Sequence, residues 1–428
     1  MAHSISTIKD GLETIMMEQP NESKIVLDNC INLQPNTIDL LRDIFQILCG
    51  HYKKRDYSPS YVEYDGLLPK NTIHSHRAYY FPSHIQDHIS NTDCKTYQYN
   101  LKIQSREIII DIVCFKEEDY SRELCNHGEM IRLIHAWLLI ATTRIPTTCS
   151  RNLHVYIYLT DFKKLIPSHN EDHSISVNNV NSAYTTSCNV NTNIVIYRKE
   201  EWFKVFIHET FHCLGLDFSH SSFNHTHSIN RHFGFQNVDY KVFESYCETW
   251  ARIMNVCFSS FLTLSPKSMN NSKINFMEYC TQFSYYMYYE NLFSAMQMNK
   301  VLRHHTIQFK DIMKRQNQTH IMELDKYRET TAVLSYYVFT GILMNNFQSF
   351  IEWCSKYHKE NCNIFQFNDT NTNIESFCHF IARCSRQKNV LKLQSIFQQG
   401  KYTTNHNTMM MTYIPTPCSI DHQFDVIV

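Results

Sequence analysis

Histidines 208 and 212 stand four apart in the run His208-Glu209-Thr210-Phe211-His212. On an α-helix that spacing puts both imidazoles on one face, one turn apart, where they can share a single Zn²⁺. Glu209, beside the first histidine, is then placed to take a proton from a water held by the metal. A five-letter pattern with two free positions also arises by chance, so its surroundings matter. Ile194, Val195, Ile196 and Tyr197 form a β-branched and aromatic run that predicts a buried strand. Trp202, Val205, Phe206, Phe211 and Leu214 then recur near helical spacing. Glu200 and Glu201 fall in the expected first turn, where the helix dipole favours negative charge. Gly215 follows as a left-handed C′ glycine, with Leu216 available for the contact of that cap. No N-cap residue is evident. These neighbours argue for a helix held against a core, rather than a surface helix with two incidental histidines.

Two histidines leave a catalytic zinc site one protein ligand short. One solution places His or Asp six residues past the second histidine. That position is Phe218, flanked by Asp217 and Ser219, so the metzincin spacing fails by one residue. His220 lies two residues later and needs a different turn. The other solution is a carboxylate on a later helix. Tyr240, Glu244, Cys247, Ala251, Met254 and Phe258 form a stripe at steps of three and four. Glu244 is the one ionisable carboxylate on it, and a buried carboxylate needs a strong partner such as a metal. Small Cys247 and Ala251 would let this helix approach the motif helix closely. Glu248, one turn on, could orient a ligand histidine through its free ring N–H. It could equally pair with Arg252 at i,i+4. The order of third-ligand candidates is Glu244, then Glu248, then His220.

With Glu244-x-x-Cys247-Glu248-x-x-Ala251 downstream of the motif, residues 180–258 resemble the gluzincin branch of zinc metallopeptidases. In that branch the third ligand sits in an E-x-x-A-[DE]-type helix, and Cys247 stands where alanine is usual. Residues 181–187, together with the strand and helix after them, also resemble metallopeptidases encoded by large DNA viruses. The resemblance implies a zinc cofactor held by His208, His212 and Glu244, with Glu209 as general base and Glu248 behind a ligand. It implies an α+β, zincin-like fold: a mixed twisted sheet packed on an active-site helix, with a mainly helical C-terminal lobe. The expected reaction is hydrolysis of peptide bonds in a peptide or protein substrate. The rival is a catalytically inactive protein that keeps the fold as a structural or interaction module, for instance in a virus particle. An intact Glu209 weighs against that rival, since a structural zinc site has no use for it.

The 428 residues allow two or three domains. Lys+Arg number 40 and Asp+Glu 41, so nothing global steers the chain to nucleic acid or an anionic membrane. Lys53-Lys54-Arg55 reads as a solvated loop. His220, His225, His227 and His232 cluster after the motif, where a polar lid loop is a simpler reading than a second metal. Five Asn-x-Ser/Thr sites, Asn21, Asn224, Asn270, Asn317 and Asn368, carry no meaning without secretion. The 16 cysteines include no C-x-x-C pair, and several sit in apolar runs. With no signal peptide evident, an intracellular, reducing location is expected, with a virus particle as the other setting. The most apolar stretch, 131–141, is too short to span a bilayer.

Along the chain, 1–95 reads as a polar, mixed region with a helix at 37–51. The zincin-like catalytic part is 96–260 and the helical lobe 261–428. Strands are expected at 108–113, 153–159 and 193–198. Helices are expected at 129–143, 160–165, 276–303, 330–344 and 374–383. Residues 181–187 read as an edge strand that a substrate backbone could extend, or equally as an ordinary strand or a loop. Tyr184 on that edge, and Tyr336 and Tyr337 on the later helix beyond Glu329, are candidates for substrate or oxyanion contacts. Core aromatic packing is the simpler reading of Tyr336 and Tyr337.

Overall fold

The computed structural model describes residues 12, 20–53, 59–67, 78–115, 120–143, 145, 148–168, 174–235, 238–264, 272–313, 324–358, 363–398 and 407–415. Lys54, Arg55, Asn270 and Asn317 lie outside the described residues. The six strands are β1 (Tyr61–Asp65), β2 (Cys94–Ile103), β3 (Arg106–Phe115), β4 (Asn152–Tyr158), β5 (Ala183–Thr185) and β6 (Asn191–Ile196). They form one open mixed sheet in the order β1-β2-β3-β4-β6-β5. β1, β2 and β3 are mutually antiparallel, β3-β4 and β4-β6 pair in parallel, and β5 runs antiparallel to β6. The parallel β3-β4 pair needs a long crossover, supplied by helix Tyr120–Ala141.

Alternation decides what each face of the sheet touches. Ile108, Ile110 and Ile112 of β3, Val155 and Ile157 of β4, and Ile194 and Ile196 of β6 join the main core. Leu133, Trp137, Phe206 and Phe211 from the helices belong to the same cluster. Val113, Tyr158, Val195 and Tyr197 on the other face pack under Phe81, Ile85 and Ile89, the last two from helix Ser83–Asn91. The main core includes Leu41 from the first stretch read in the sequence and Phe339 and Phe377 from the last, so all three stretches share it. β1 also joins the sheet across residue 95. Beyond 261 the described elements are helical, and the long helix Ser272–His304 packs against helix Val242–Leu262.

Several expectations need correction. Residues 160–165 form no helix. Their backbone groups go to tertiary partners: Lys164 N–H donates to Glu200 Oε1 at 2.6 Å, and Lys163 O accepts from Arg198 Nη1 at 2.8 Å. Glu200 and Glu201 precede the motif helix instead of occupying its first turn. Glu201 sits at its N-cap in the left-handed region (φ 59°), buried, paired with Lys164 and accepting from Met411 N and Thr412 N. The histidine-rich stretch after the motif is a helix, His225–Phe233, started by the Asn224 side chain and ended at left-handed Gly234. The helix expected at 330–344 begins as a π-helical segment, Leu334–Phe339, before Thr340–Met344 continues as α-helix. Cys149 and Cys188, 39 residues apart, are joined in a disulfide, a pairing that the spacing of the cysteines did not indicate. Among the described residues no helix is long and apolar enough to cross a membrane.

Candidate metal centre

The motif helix, Trp202–Cys213, lies between β6, helix Tyr120–Ala141 and helix Val242–Leu262. Thr210, one of the free positions of the motif, accepts a 2.8 Å hydrogen bond from Trp137 Nε1. That bond holds the buried side of the helix, leaving the histidine face to the cleft. At the C-terminus Leu216 N–H reaches Phe211 O (2.8 Å) and Gly215 N–H reaches His212 O (3.2 Å), with Gly215 at φ 67°. This pair of bonds is the Schellman cap expected of Gly215 and Leu216. It reverses the chain so that Asp217 comes back under His212.

Helix Val242–Leu262 crosses the motif helix with Cys247 and Ala251 fully buried between them. Glu244 is in its first turn, where a carboxylate suits the helix dipole. Its Oε2 lies 3.1 Å from His208 Nε2 and 3.3 Å from His212 Nε2, and the two Nε2 atoms are 3.2 Å apart. Zinc with bonds of about 2.0–2.1 Å in tetrahedral geometry spaces its ligand atoms about 3.3–3.4 Å apart. The three donor atoms thus form a triangle of the size one such ion requires, and their chemistry, two imidazoles and a carboxylate, suits zinc.

Each imidazole is backed by a carboxylate. Asp217 Oδ2 is 2.6 Å from His212 Nδ1, and Ser219 Oγ donates to Asp217 Oδ1 at 3.0 Å. Glu248 Oε2 is 3.1 Å from His208 Nδ1. A proton on each Nδ1 leaves the Nε2 lone pair facing the triangle. Glu248 is itself held by Lys204, at 2.8 and 3.1 Å, with both side chains buried. The i,i+4 pairing of Glu248 with Arg252 does not form, because Arg252 turns to Glu290 at 2.7 Å.

The electrostatics follow from this packing. Burial alone would lower the pKa of His208, but the carboxylates of Glu244 and Glu248 raise it to about 9. Burial would raise Glu244, yet His212 and His208 hold it well below the usual carboxylate range. Against the same burial, Lys204 and His208 bring Glu248 down to about 2. Glu209 is pushed up by burial, only partly offset by the two histidines.

Glu209 and the donor triangle line a cleft of about 400 Å³. β5 forms one wall and Tyr336 another. The ladder with β6 engages Ser182 O and Thr186 N. The peptide groups of Ala183, between them in the alternation, therefore point along the cleft side. Of the three tyrosine candidates, Tyr336 stands 5.8 Å from the His208 ring, centre to centre, and lines the cleft. Burial and the nearby Glu244, Glu209 and Glu248 push its pKa far up, so it stays a hydrogen-bond donor. Tyr184 also lines the cleft, with its ring packed on Phe81. Tyr337 does not reach it: its side chain is buried and its hydroxyl donates to Met409 O.

His220, His225, His227 and His232 belong to no metal-sized group among the described residues. A second group, His212, Asp217 and Cys247, does converge. At 2.6 Å, however, the His212–Asp217 pair is a hydrogen bond with no room for an ion between. Burial also keeps Cys247 a thiol, its pKa raised well above 9. Sequence reasoning missed Asp217 and Lys204 as supports of the site. The signal for Asp217 was present, since it is the first polar residue after the Gly215 cap.

Compared with protein-family models, curated protein sequences and solved structures, the chain matches none.

Proposed function

We propose that the protein is a zinc-dependent peptidase, with His208, His212 and Glu244 as metal ligands. The observation that carries this reading is the triangle of Nε2, Nε2 and Oε2 atoms with sides of 3.1–3.3 Å. Its open side faces a cleft that also holds the carboxylate of Glu209. A structural zinc site is closed by four protein ligands, whereas a hydrolytic one keeps a position for water. Zinc, when bound, supplies Lewis acidity, polarising a carbonyl and making water more acidic. The chain's own residues do the rest. Asp217 fixes the ring orientation of His212 through its hydrogen bond with Nδ1, and Glu248 holds a negative charge 3.1 Å from Nδ1 of His208. Ala183 offers backbone hydrogen bonds to an extended substrate. Glu209, made more basic by burial, takes a proton from water and returns it to the departing amine. The Tyr336 hydroxyl can donate to the oxygen on which negative charge develops.

The test is metal content together with cleavage of a peptide library by the wild-type chain and by Glu209→Gln. One zinc per chain in both, with cleavage by the wild type alone, supports the reading. Zinc in both with no cleavage by either favours the inactive structural or interaction protein. No zinc in the wild type refutes the assignment of the centre.

A further inference from the structure

We infer that the cleft is closed at one end, so that the centre acts on the C-terminal end of a chain and not on its middle. The inference rests on the peptidase reading and names its substrate class: peptides with a free C-terminus. An extended substrate pairing antiparallel to β5 runs from Thr185 toward Ala183 and on toward Asn181. Beyond Ala183 its path meets a junction between the segment before β5 and the segment 328–332. Ile175 and Glu329 form a parallel bridge. Ile175 N–H donates to Arg328 O at 3.3 Å and Thr330 N–H to Ile175 O at 3.1 Å. Thr331 Oγ1 donates to Asn181 Oδ1 at 3.1 Å, and the Tyr79 hydroxyl to Thr330 O at 2.8 Å.

This junction is built into the fold. The buried guanidinium of Arg198 holds its upper half by three backbone carbonyls: Asn181 at 3.0 Å, Lys163 at 2.8 Å and Asn178 at 2.7 Å. Glu329 holds its lower half, accepting from Tyr327 Oη at 2.8 Å and from Leu334 N at 2.7 Å. Asn181, Thr331 and Ala332 line the same cleft as His208, Glu209 and Glu244, so the junction lies beside the centre. The cleft lining also varies in exposure. At the junction Thr331 and Ala332 are buried and Asn181 is half-buried, while Ser187, Ser219 and Lys241 elsewhere in the cleft lining are all half-buried. Substrate enters from the Ser187 end with its C-terminus leading.

Asn181 lies two positions before Ala183, with Ser182 between them, which is about 7 Å of extended chain. A substrate whose scissile carbonyl lies over the donor triangle has room for about one or two residues before the junction stops it. Hydrolysis there adds one water across the C–N bond: hydroxyl to the carbonyl carbon, proton to the amine. It releases a short C-terminal fragment.

The test uses the full zinc-loaded chain and three forms of one short peptide: linear with a free C-terminus, fused at its C-terminus to a folded domain, and cyclised head to tail. Cleavage is mapped by mass spectrometry for the wild type, and binding is measured by fluorescence polarisation for Glu209→Gln. Removal of one or two residues from the free C-terminus, with binding of the fused and cyclic forms at least about tenfold weaker, supports the inference. The same tenfold preference without any cleavage leaves the closed end standing and refutes the hydrolytic reading alone. Cleavage inside the cyclic or fused peptide, equal binding of all three forms, or binding of none overturns the inference.

Discussion

Removing Asp217 should weaken zinc binding without removing a ligand. Its Oδ2 lies 2.6 Å from His212 Nδ1, its side chain is fully buried, and its other oxygen accepts from Ser219. In Asp217→Ala the Nδ1–H loses this partner. Cys247 Sγ, 4.0 Å away, is too weak an acceptor to stand in. The ring is then free to rotate and its Nε2 is less basic. Losses of this kind cost about 10–100-fold in metal affinity, or about 1.4–2.7 kcal/mol. Asp217→Asn keeps an acceptor oxygen but drops the charge, and should fall between wild type and Asp217→Ala. The assay is competition for zinc with a chromophoric chelator at fixed pH, with far-ultraviolet circular dichroism to check the fold. His212→Ala sets the upper limit, because it removes a donor atom. An unchanged affinity in a folded Asp217→Ala protein would refute the argument that this carboxylate supports the centre.

Glu209→Gln should lower peptide hydrolysis by about 10²–10⁴-fold with zinc retained, measured by initial rates and metal analysis; undiminished rates would remove Glu209 from the mechanism. The metal-free chain should lose stability as pH rises from 6.5 through about 9, because the raised pKa of His208 stabilises the fold only while the ring is protonated. On the acid side, the depressed pKa of Glu248 makes stability fall as pH drops from 4.5 through about 2. Zinc must displace the His208 proton, so its apparent affinity and its stabilising effect in urea titrations should grow with pH up to about 9; a flat profile would contradict this. Gly215→Ala forces a Cβ into the left-handed region at φ 67° and within 3.1 Å of Cys149 Sγ, and should cost about 1–2 kcal/mol or more in denaturant melts; a neutral result would mean that the cap is not under this constraint.

What could be read from the sequence was local. The motif helix, its Gly215 cap and the Glu244 stripe all follow from spacing along one helix, and each is found in the structure. The approach of Glu244 to both histidines follows from small Cys247 and Ala251 in the same stripe. What could not be read depends on partners far apart in the chain. Glu201 suited a first helical turn by charge, yet Lys164 and the backbone of 411–412 bind it more fully than the helix dipole would. Residues 160–165 had helical composition, but Glu200 and Arg198 take the backbone groups a helix would use. The Cys149–Cys188 pair bridges loops flanking β4 and β6, and no spacing rule pointed to it.

These distant partners form the chemical support of the centre. Lys204 lies one turn before His208 and looks like a surface lysine in the sequence, yet it is buried and clamps both oxygens of Glu248. A buried lysine or glutamate alone would be costly, and together they are neutral and hydrogen-bonded. Breaking the pair by removing one member leaves the other charge uncompensated, at a cost of about 3–5 kcal/mol. Glu248 in turn faces Nδ1 of His208, whose Nε2 points into the donor triangle. The chain of contacts from Lys204 through Glu248 to His208 therefore couples the charge balance of the core to the surroundings of a proposed ligand. A surface helix carrying two histidines by chance would have no reason to bury that lysine.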